Sequence, residues 1–455
     1  MTAMASDAHR LPDRPQNPDD VLKLVEGERV GLIWLWFVDL EGKLKSFAIT
    51  PNELPRALDR GMNFDGSSIT GFNALEESDL TAFPDISTLA FLPDGGNGEI
   101  AVRMFADIKN PDGTPYEGDP RWILKRQAER ARELGYTCYV GPELEFFVFR
   151  SMQLPPQPLD EGTYFTSPPV DVSSGIRADI IAALSRMGIA VEYHHHEVAP
   201  SQHEIDLRFA EATLMADYAT SYKSVAKQIA YQRGCYITFM PKPLFGVNGS
   251  GMHIHQSLFE RERNAFFSED DEWRLSSVGR SYIAGLLKYA PEFTAFLAQY
   301  VNSYKRLVPG FEAPVYIAWS PRNRSALIRV PSYVPGKQSS IRCEIRCADP
   351  ASNFYFAFAL MLAAGLKGIE EELPLEPPVL ENLYELSEME REERGIKSLP
   401  ANLHEALHFA RKSEFVREVL GERVVEQFLQ LKYAEWAEYQ SQVTDWELKR
   451  YFAVL

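Results

Sequence analysis

"YVGPELEFFVF" (Tyr139–Phe149) carries two acids, Glu143 and Glu145, inside a run that is otherwise almost wholly apolar. Aromatic and branched residues at this density read as a strand. Side chains two apart on a strand share a face, so Glu143 and Glu145 project together while Leu144 and Phe146 point the other way. The same spacing returns in His253 and His255 of "FMPKPLFGVNGSGMHIHQSL" and in Arg342, Glu344 and Arg346 of "KQSSIRCEIRCADP", and "EYHHHEVAPSQHEIDLRF" adds Glu197 and Glu204. One reading gathers these stretches round a single cavity. Carboxylates about 4 Å apart repel by about 4 kcal/mol at an effective dielectric near 20, so such a cluster needs protons or cations. A mainly oxygen donor set with one or two imidazoles suits Mg²⁺ or Mn²⁺ better than zinc, and these ions commonly bridge nucleotide phosphates.

Each motif taken singly also has a plain structural reading. E-x-E is compatible with an acidic face on an exposed edge strand, and H-x-H with histidines satisfied in the core. "HHHE" is not the H-E-x-x-H of a zinc protease, and "NGSG" reads as a turn about as well as a phosphate loop. "NSYKRLVPGFEAPVYIAWSPRNRSALIRV" contributes Arg306, Arg322, Arg324 and Arg329, with Glu312 in its Pro/Gly loop. Together with Arg342 and Arg346 these form either a clamp for phosphate and carboxylate oxygens or a solvated basic surface.

Composition narrows the function classes. The 455-residue chain is 45% hydrophobic with a formal net charge of −17 and shows no Lys/Arg block, which argues against nucleic acid or an anionic membrane as partner. Small, locally neutralised anions remain possible ligands. Cys138, Cys235, Cys343 and Cys347 form no C-x-x-C pair and read as reduced thiols. "VGLIWLWFV" and "YFAFALMLAAG" fall short of the roughly 20 residues that span a bilayer, so a cytoplasmic protein is expected.

The chain divides by composition into a flexible polar tail (1–20), a small α+β unit (21–118) and a larger domain (119–455). In the small unit, "RVGLIWLWFVDLEGKLKSFAI" reads as a hairpin turning at Glu41-Gly42. Asp119-Pro120 supplies a cap and a favourable first position for a helix ending before Gly135. From Asn402 onward the pattern is charged, periodic helix.

The stretches "MNFDGSSITGF", "GPELEFF", "HHEVAPSQHE", "KPLFGVNGSGMHIHQSL", "NSYKRLVPGFEAP", "RNRSALIRV" and "IRCEIR", in this order, resemble class I glutamine synthetase from about Val21 to Leu455. The resemblance implies an amino-terminal β-grasp domain and a catalytic domain on a curved antiparallel sheet. It also implies a dodecamer of two stacked hexameric rings, with active sites between neighbours. It implies two metal sites, Glu145 with Glu197 and Glu204, and Glu143 with His253 and Glu344, holding two or three Mg²⁺ or Mn²⁺ ions. Glutamate is expected at Arg306, Arg346, His253, Asn248 and Gly249, and ATP, as co-substrate, at Glu192, Phe209, His255, Ser257, Lys337 and Arg342. Arg324 and Arg329 are expected to meet the transferring phosphoryl group. Ammonium is expected at Asp65 and Ser68 of a neighbouring subunit with Tyr164, Glu197 and Glu312; Asp65 accepts its proton and Glu312 closes the site.

Ser201 stands where the family commonly has Gly, and Ala74 where a feedback-inhibited subgroup has Arg. Tyr384 matches the tyrosine adenylylated in a subgroup whose associated insertion this chain lacks. The implied reaction is ligation of ammonia to the γ-carboxylate of L-glutamate through γ-glutamyl phosphate. The nearest alternative is a relative that ligates a larger amine to glutamate; a noncatalytic ring scaffold and a metal-dependent hydrolase stand further off.

Overall fold

The computed structural model describes residues 15–71, 79–93, 99–309 and 313–455. Residues 1–14 of the expected tail, Ala74 and Glu312 lie outside them. Pro18, Asp19 and Asp20, read from sequence as tail, are helical: the Asn17 side chain accepts from the Asp20 N–H at 3.0 Å and Pro18 opens the helix Pro18–Gly27.

Among the described residues, six amino-terminal strands form one sheet: β1 (Leu32–Val38), β2 (Leu44–Ile49), β3 (Met62–Asp65), β4 (Asp79–Pro84), β5 (Ala90–Phe91) and β6 (Ala101–Lys109). Its order is β2-β1-β6-β4-β3, with β5 also on β6; β1 and β6 run parallel and the other pairs antiparallel. The hairpin turns where the sequence places it. Asp39 Oδ1 accepts from the N–H groups of Glu41 (3.0 Å) and Lys43 (2.9 Å), and Gly42 takes φ 74°.

The larger sheet contains β7 (Thr137–Phe149), β8 (Val191–His196), β9 (Gln202–Leu207), β10 (Ala210–Glu211), β11 (Tyr236–Thr238), β12 (Met252–Glu260), β13 (Arg263–Asn264), β14 (Tyr316–Ser320), β15 (Ala326–Arg329) and β16 (Cys343–Ile345). Its order is β14-β15-β16-β12-β7-β9-β8, and every pair is antiparallel except β14 with β15. The strand quoted at the outset is thus flanked by β12 and β9, not exposed at an edge. Its apolar face, with Leu144, Phe146 and Val148, joins one core with the helices Pro120–Glu133, Ala212–Gln232, Ser277–Leu297 and Phe354–Glu370. Asp119 caps the first of these by accepting from Arg121 N at 3.0 Å.

Helix Phe354–Glu370 is the "YFAFALMLAAG" stretch, buried along nearly its whole length. It crosses Ser277–Leu297 so closely that a Cβ at Gly285 would lie 2.1 Å from the Ala364 carbonyl oxygen and 2.9 Å from Gly368 Cα. Among the described residues no helix is long and apolar enough to cross a membrane. All four cysteines are free thiols.

The amino-terminal hairpin is locked to the larger domain by polar contacts. Gln299 Nε2 donates to the Glu41 carbonyl at 2.8 Å, Asn353 Nδ2 to the Leu40 carbonyl at 3.2 Å, and the buried Lys432 pairs with Glu41 at 2.7 Å. These contacts fix the hairpin to the ends of helices Ser277–Leu297 and Phe354–Glu370 and to helix Glu422–Gln440.

Candidate active site

Strand register converts the scattered motifs into rows. Across β8, β9, β7 and β12 one row reads Tyr193, Asp206, Glu143, His253; one step along, His195, Glu204 and Glu145 form a second. On the other side of Glu143, Gly141, His255, Glu344 and Arg329 form a third across β7, β12, β16 and β15. Glu143, Glu145, Glu204, His253, His255 and Glu344 therefore share one face of one sheet, opposite the apolar core.

Around Glu143, the carboxylate receives His255 Nε2 at 2.7 Å on one oxygen and His253 Nδ1 at 3.0 Å on the other, with His253 Nδ1 also 3.9 Å from Glu344. Glu344 is fully buried and pairs with both Arg329 and Arg346. Burial raises both carboxyl pKa values, but His255 and His253 outweigh it at Glu143, which sits well below the usual range. At Glu344, His255, Arg346 and His253 outweigh burial and hold the pKa at about 2. Burial and Arg346 press His253 down to about 4, leaving it a neutral imidazole at neutral pH.

The second cluster is short of cations. Burial pushes Glu145 up to about 7, with the neighbouring Glu143 charge adding to it against Arg306 and the Gly251 N–H. Burial and the charges of Asp206, Glu145, Glu143 and Glu197 drive Glu204 well above its ordinary value. Asp206 rises to about 7 by burial and the Glu143 charge. Two trios bring their donor atoms within 4.8 Å of one another: Glu143, His255 and Glu344, and His195, Glu197 and Glu204. Oxygen-rich sets with one imidazole, one of them burdened with uncompensated negative charge, fit divalent cations.

These trios differ from the expected ones by one member each. Glu145 turns its Oε2 to the Gly251 N–H (3.0 Å) and the Gln202 amide (2.7 Å), so the "NGSG" turn wraps a carboxylate. His195, not singled out from sequence, stands 3.4 Å from Glu204 and 3.5 Å from Glu197. Its signal was available in the alternation of Tyr193, His195 and Glu197. Rings of Tyr164 (5.4 Å), Phe165 (4.8 Å) and Tyr193 (5.9 Å) surround His195, which brings Tyr164 to this cluster.

A third grouping, Asp160, His196 and His203, lies buried behind Glu197. Its His203 Nδ1 faces Arg177 Nη1 at 2.6 Å, a group that can only donate, and His196 Nδ1 holds the Glu197 carbonyl at 2.6 Å. It reads as a hydrogen-bonded support for Glu197. Ser201, at φ 56°, belongs to that support: its hydroxyl oxygen accepts from Leu159 N (2.6 Å) and Asp160 N (2.7 Å).

Arg306 is buried beneath the glycine turn and donates to the carbonyls of Arg346 (3.1 Å), Cys347 (3.2 Å) and Ala348 (3.0 Å). A Cβ at Gly249 would come within 3.4 Å of Arg306 Cβ, so the turn with Asn248 and Gly249 rests on this arginine. Arg342 Nε donates to His255 Nδ1 at 3.0 Å. Phe209, 58% exposed, stands edge-on to Tyr139 at 5.7 Å, and Tyr139 is opposite Ser257, so an open aromatic surface borders His255 and Ser257.

Arg324 and Lys337 are exposed in the turns flanking β15, and Glu192 is exposed at a register irregularity in β8. Asp65 ends β3 of the amino-terminal sheet, and Ser68, in the turn after it, lines a hollow with Leu40 and with Gln427, Gln430 and Leu431 of helix Glu422–Gln440. The Tyr384 hydroxyl donates to the Ala313 carbonyl at 2.8 Å.

Residues 29–111 match the glutamine synthetase β-grasp domain and residues 117–451 the glutamine synthetase catalytic domain. The chain belongs to the glutamine synthetase family. Among family members it is 49% identical to a glutamine synthetase of Methanosarcina mazei, over 96% of this chain and 98% of that one. It is 46% identical to one of Thermotoga maritima over 95% and 99%. Its fold superposes with a TM-score of 0.86 on Plasmodium falciparum glutamine synthetase at 25% identity, covering 96% of this chain and 99% of that one. A GmaS/ADP complex also superposes at 0.86, with 28% identity and coverage of 95% and 99%. The resemblance read from motifs, and the two-domain fold it implied, therefore hold across the family's full length.

Proposed function

We propose that this chain ligates ammonia to the γ-carboxylate of L-glutamate at the expense of ATP, through γ-glutamyl phosphate, releasing L-glutamine, ADP and phosphate. The observation that carries the reading is the sheet face on which carboxylates and imidazoles form two adjoining cation-binding sets bordered by arginines. It is a ligase's arrangement more than a hydrolase's, because the arginines match anionic nucleotide and amino acid groups.

Two or three Mg²⁺ or Mn²⁺ ions, held by Glu143, His253 and Glu344 and by Glu145, Glu197 and Glu204, supply neutralisation of phosphate charge when bound. His255 and His195 stand close enough to share in these sets. Phe209, Ser257, His255, Glu192, Lys337 and Arg342 hold ATP, with the exposed Phe209 ring as a surface for the base. Arg306, Arg346 and the turn at Asn248 and Gly249 orient glutamate. Arg324 and Arg329 stabilise the transferring phosphoryl group electrostatically.

Tyr164 and Glu197, with Asp65 and Ser68 of a neighbouring subunit, receive ammonium; Asp65 takes its proton and Glu312 closes the site against water. Contribution of Asp65 from a neighbour agrees with its position on the separate amino-terminal sheet and calls for a ring assembly, a dodecamer of two hexamers. The domains are taken as 18–118, opening with the helix Pro18–Gly27, and 119–455, and the enzyme as cytoplasmic.

The test is ADP production with glutamate, ATP and Mg²⁺ across ammonium, methylamine, ethanolamine and a polyamine. Turnover with ammonium is expected; turnover confined to a larger amine makes the chain a γ-glutamyl-amine ligase, and inertness with every amine removes the catalytic reading.

A further inference from the structure

Glu143 and Glu145 on β7 face Asp206 and Glu204 on β9, so the two strands present a two-by-two block of carboxylates. Three corners belong to the expected metal sets; Asp206 does not. Asp206 is 4% exposed, and neither of its carboxylate oxygens has a hydrogen-bond partner within 3.5 Å; the Tyr193 hydroxyl and the Glu204 carboxyl are the polar groups that face it. Strand alternation puts its side chain on the face of Glu204, between Tyr193 on β8 and Glu143 on β7. A buried carboxylate left without a donor carries a large desolvation cost, which structural roles alone do not offset.

We infer that Asp206 is a further carboxylate of the divalent-cation centre, lying between its two sets and engaging a water bound to one of the cations held there, at Glu143 or at Glu204. The short side chain decides between direct and water-mediated contact. Asp206 is one methylene shorter than the glutamate opposite it, so its oxygens end nearer the sheet floor and reach the cation through one coordinated water. Mg²⁺ and Mn²⁺ retain such waters readily. Carboxylates placed in this way tighten metal binding and orient the ligands in contact with the ion. This inference rests on the cation-binding reading of the sheet face.

The experiment titrates Mn²⁺ into the metal-stripped full-length enzyme, reading free Mn²⁺ by electron paramagnetic resonance, for wild type, Asp206→Asn and Asp206→Ala. Melting temperatures are recorded for each in EDTA and in Mn²⁺. Both variants are expected to bind at least one Mn²⁺ about tenfold more weakly, and to melt in EDTA no lower than wild type, since a buried carboxyl crowded by Glu143 and Glu204 has gone. Wild-type protein that binds no Mn²⁺ overturns the cation-binding reading itself. Wild-type binding with unchanged affinity and stoichiometry in both variants overturns the role of Asp206 alone. Variants that melt lower in EDTA yet gain the same stabilisation from Mn²⁺ as wild type assign Asp206 to the fold and also overturn it.

Discussion

Glu145 on β7 stands directly opposite Glu204 on β9, both buried on the same face of one sheet. Cross-strand partners lie about 4.5–5.5 Å apart at Cβ, a separation at which like charges oppose each other. The pair therefore links folding, protonation and cation binding.

The metal-free protein is expected to lose stability as pH rises. Glu145 and Asp206 sit at about 7 in the folded chain and Glu204 is also raised, above the values near 4 of unfolded carboxyls. Their contribution is fully present below about pH 4 and is lost as pH climbs through about 7. Cations require the deprotonated forms, so Mg²⁺ stabilises more at high pH. Melting curves at about pH 5.5 and about pH 8.5, with EDTA or Mg²⁺, should show the gap widening with pH; a constant or narrowing gap contradicts the arrangement.

Glu204→Gln separates stability from chemistry. It removes one of the opposed charges while keeping the side chain's shape, so the variant should melt higher than wild type in EDTA. Its turnover with ammonium should fall by about 100-fold or more. A variant that is less stable in EDTA, or retains wild-type turnover, would show that Glu204 is not held under electrostatic strain for cation binding.

Phe209 is an exposed ring over β7. If it supports the base of ATP, Phe209→Ala should raise the KM for ATP by about tenfold, consistent with roughly 1–3 kcal/mol per stacked base. The KM for glutamate should stay within about twofold. Equal increases for both substrates would place Phe209 outside nucleotide binding.

Lys432 pairs in the interior with Glu41 of the amino-terminal hairpin. Lys432→Met takes the buried cation from Glu41, which keeps the exposed Lys43 as a partner, and should cost about 2 kcal/mol. Adding Glu41→Gln should restore much of the loss, because both charges are then gone. Denaturant unfolding of the two single variants and the double variant closes the cycle; purely additive losses refute direct coupling.

Gly285 admits the backbone of the neighbouring helix, with the Ala364 carbonyl in the space a Cβ would take. Gly285→Val should force the helices Ser277–Leu297 and Phe354–Glu370 apart and cost about 3 kcal/mol or more. An unchanged denaturation midpoint would mean the helices separate without penalty.

Much of this architecture is legible along the chain. Asp119-Pro120 marks a helix start and Glu41-Gly42 a hairpin because capping and turn chemistry act within a few residues. The alternation in "ELE", "HIH" and "CEI" assigns Glu143, Glu145, His253, His255 and Glu344 to polar strand faces because the pleat has a period of two. Alternation also held the signal for His195 and Asp206, beside Tyr193 and Glu204. They were passed over because nothing local distinguishes a strand face that lines a site from one that meets solvent.

The sequence by itself determined which side chains share a face on each strand, and that acids, imidazoles and arginines stand in the stretches that resemble the family's motifs. Only tertiary structure decided that Glu143 meets Asp206 and His253, that Glu145 meets Glu204, and that Glu145 spends one oxygen on the Gly251 N–H. The reason is that register joins strands distant along the chain. It is selected by the burial of Leu144, Phe146 and Ile205 against the helical layer, a non-local energy that no single stretch contains.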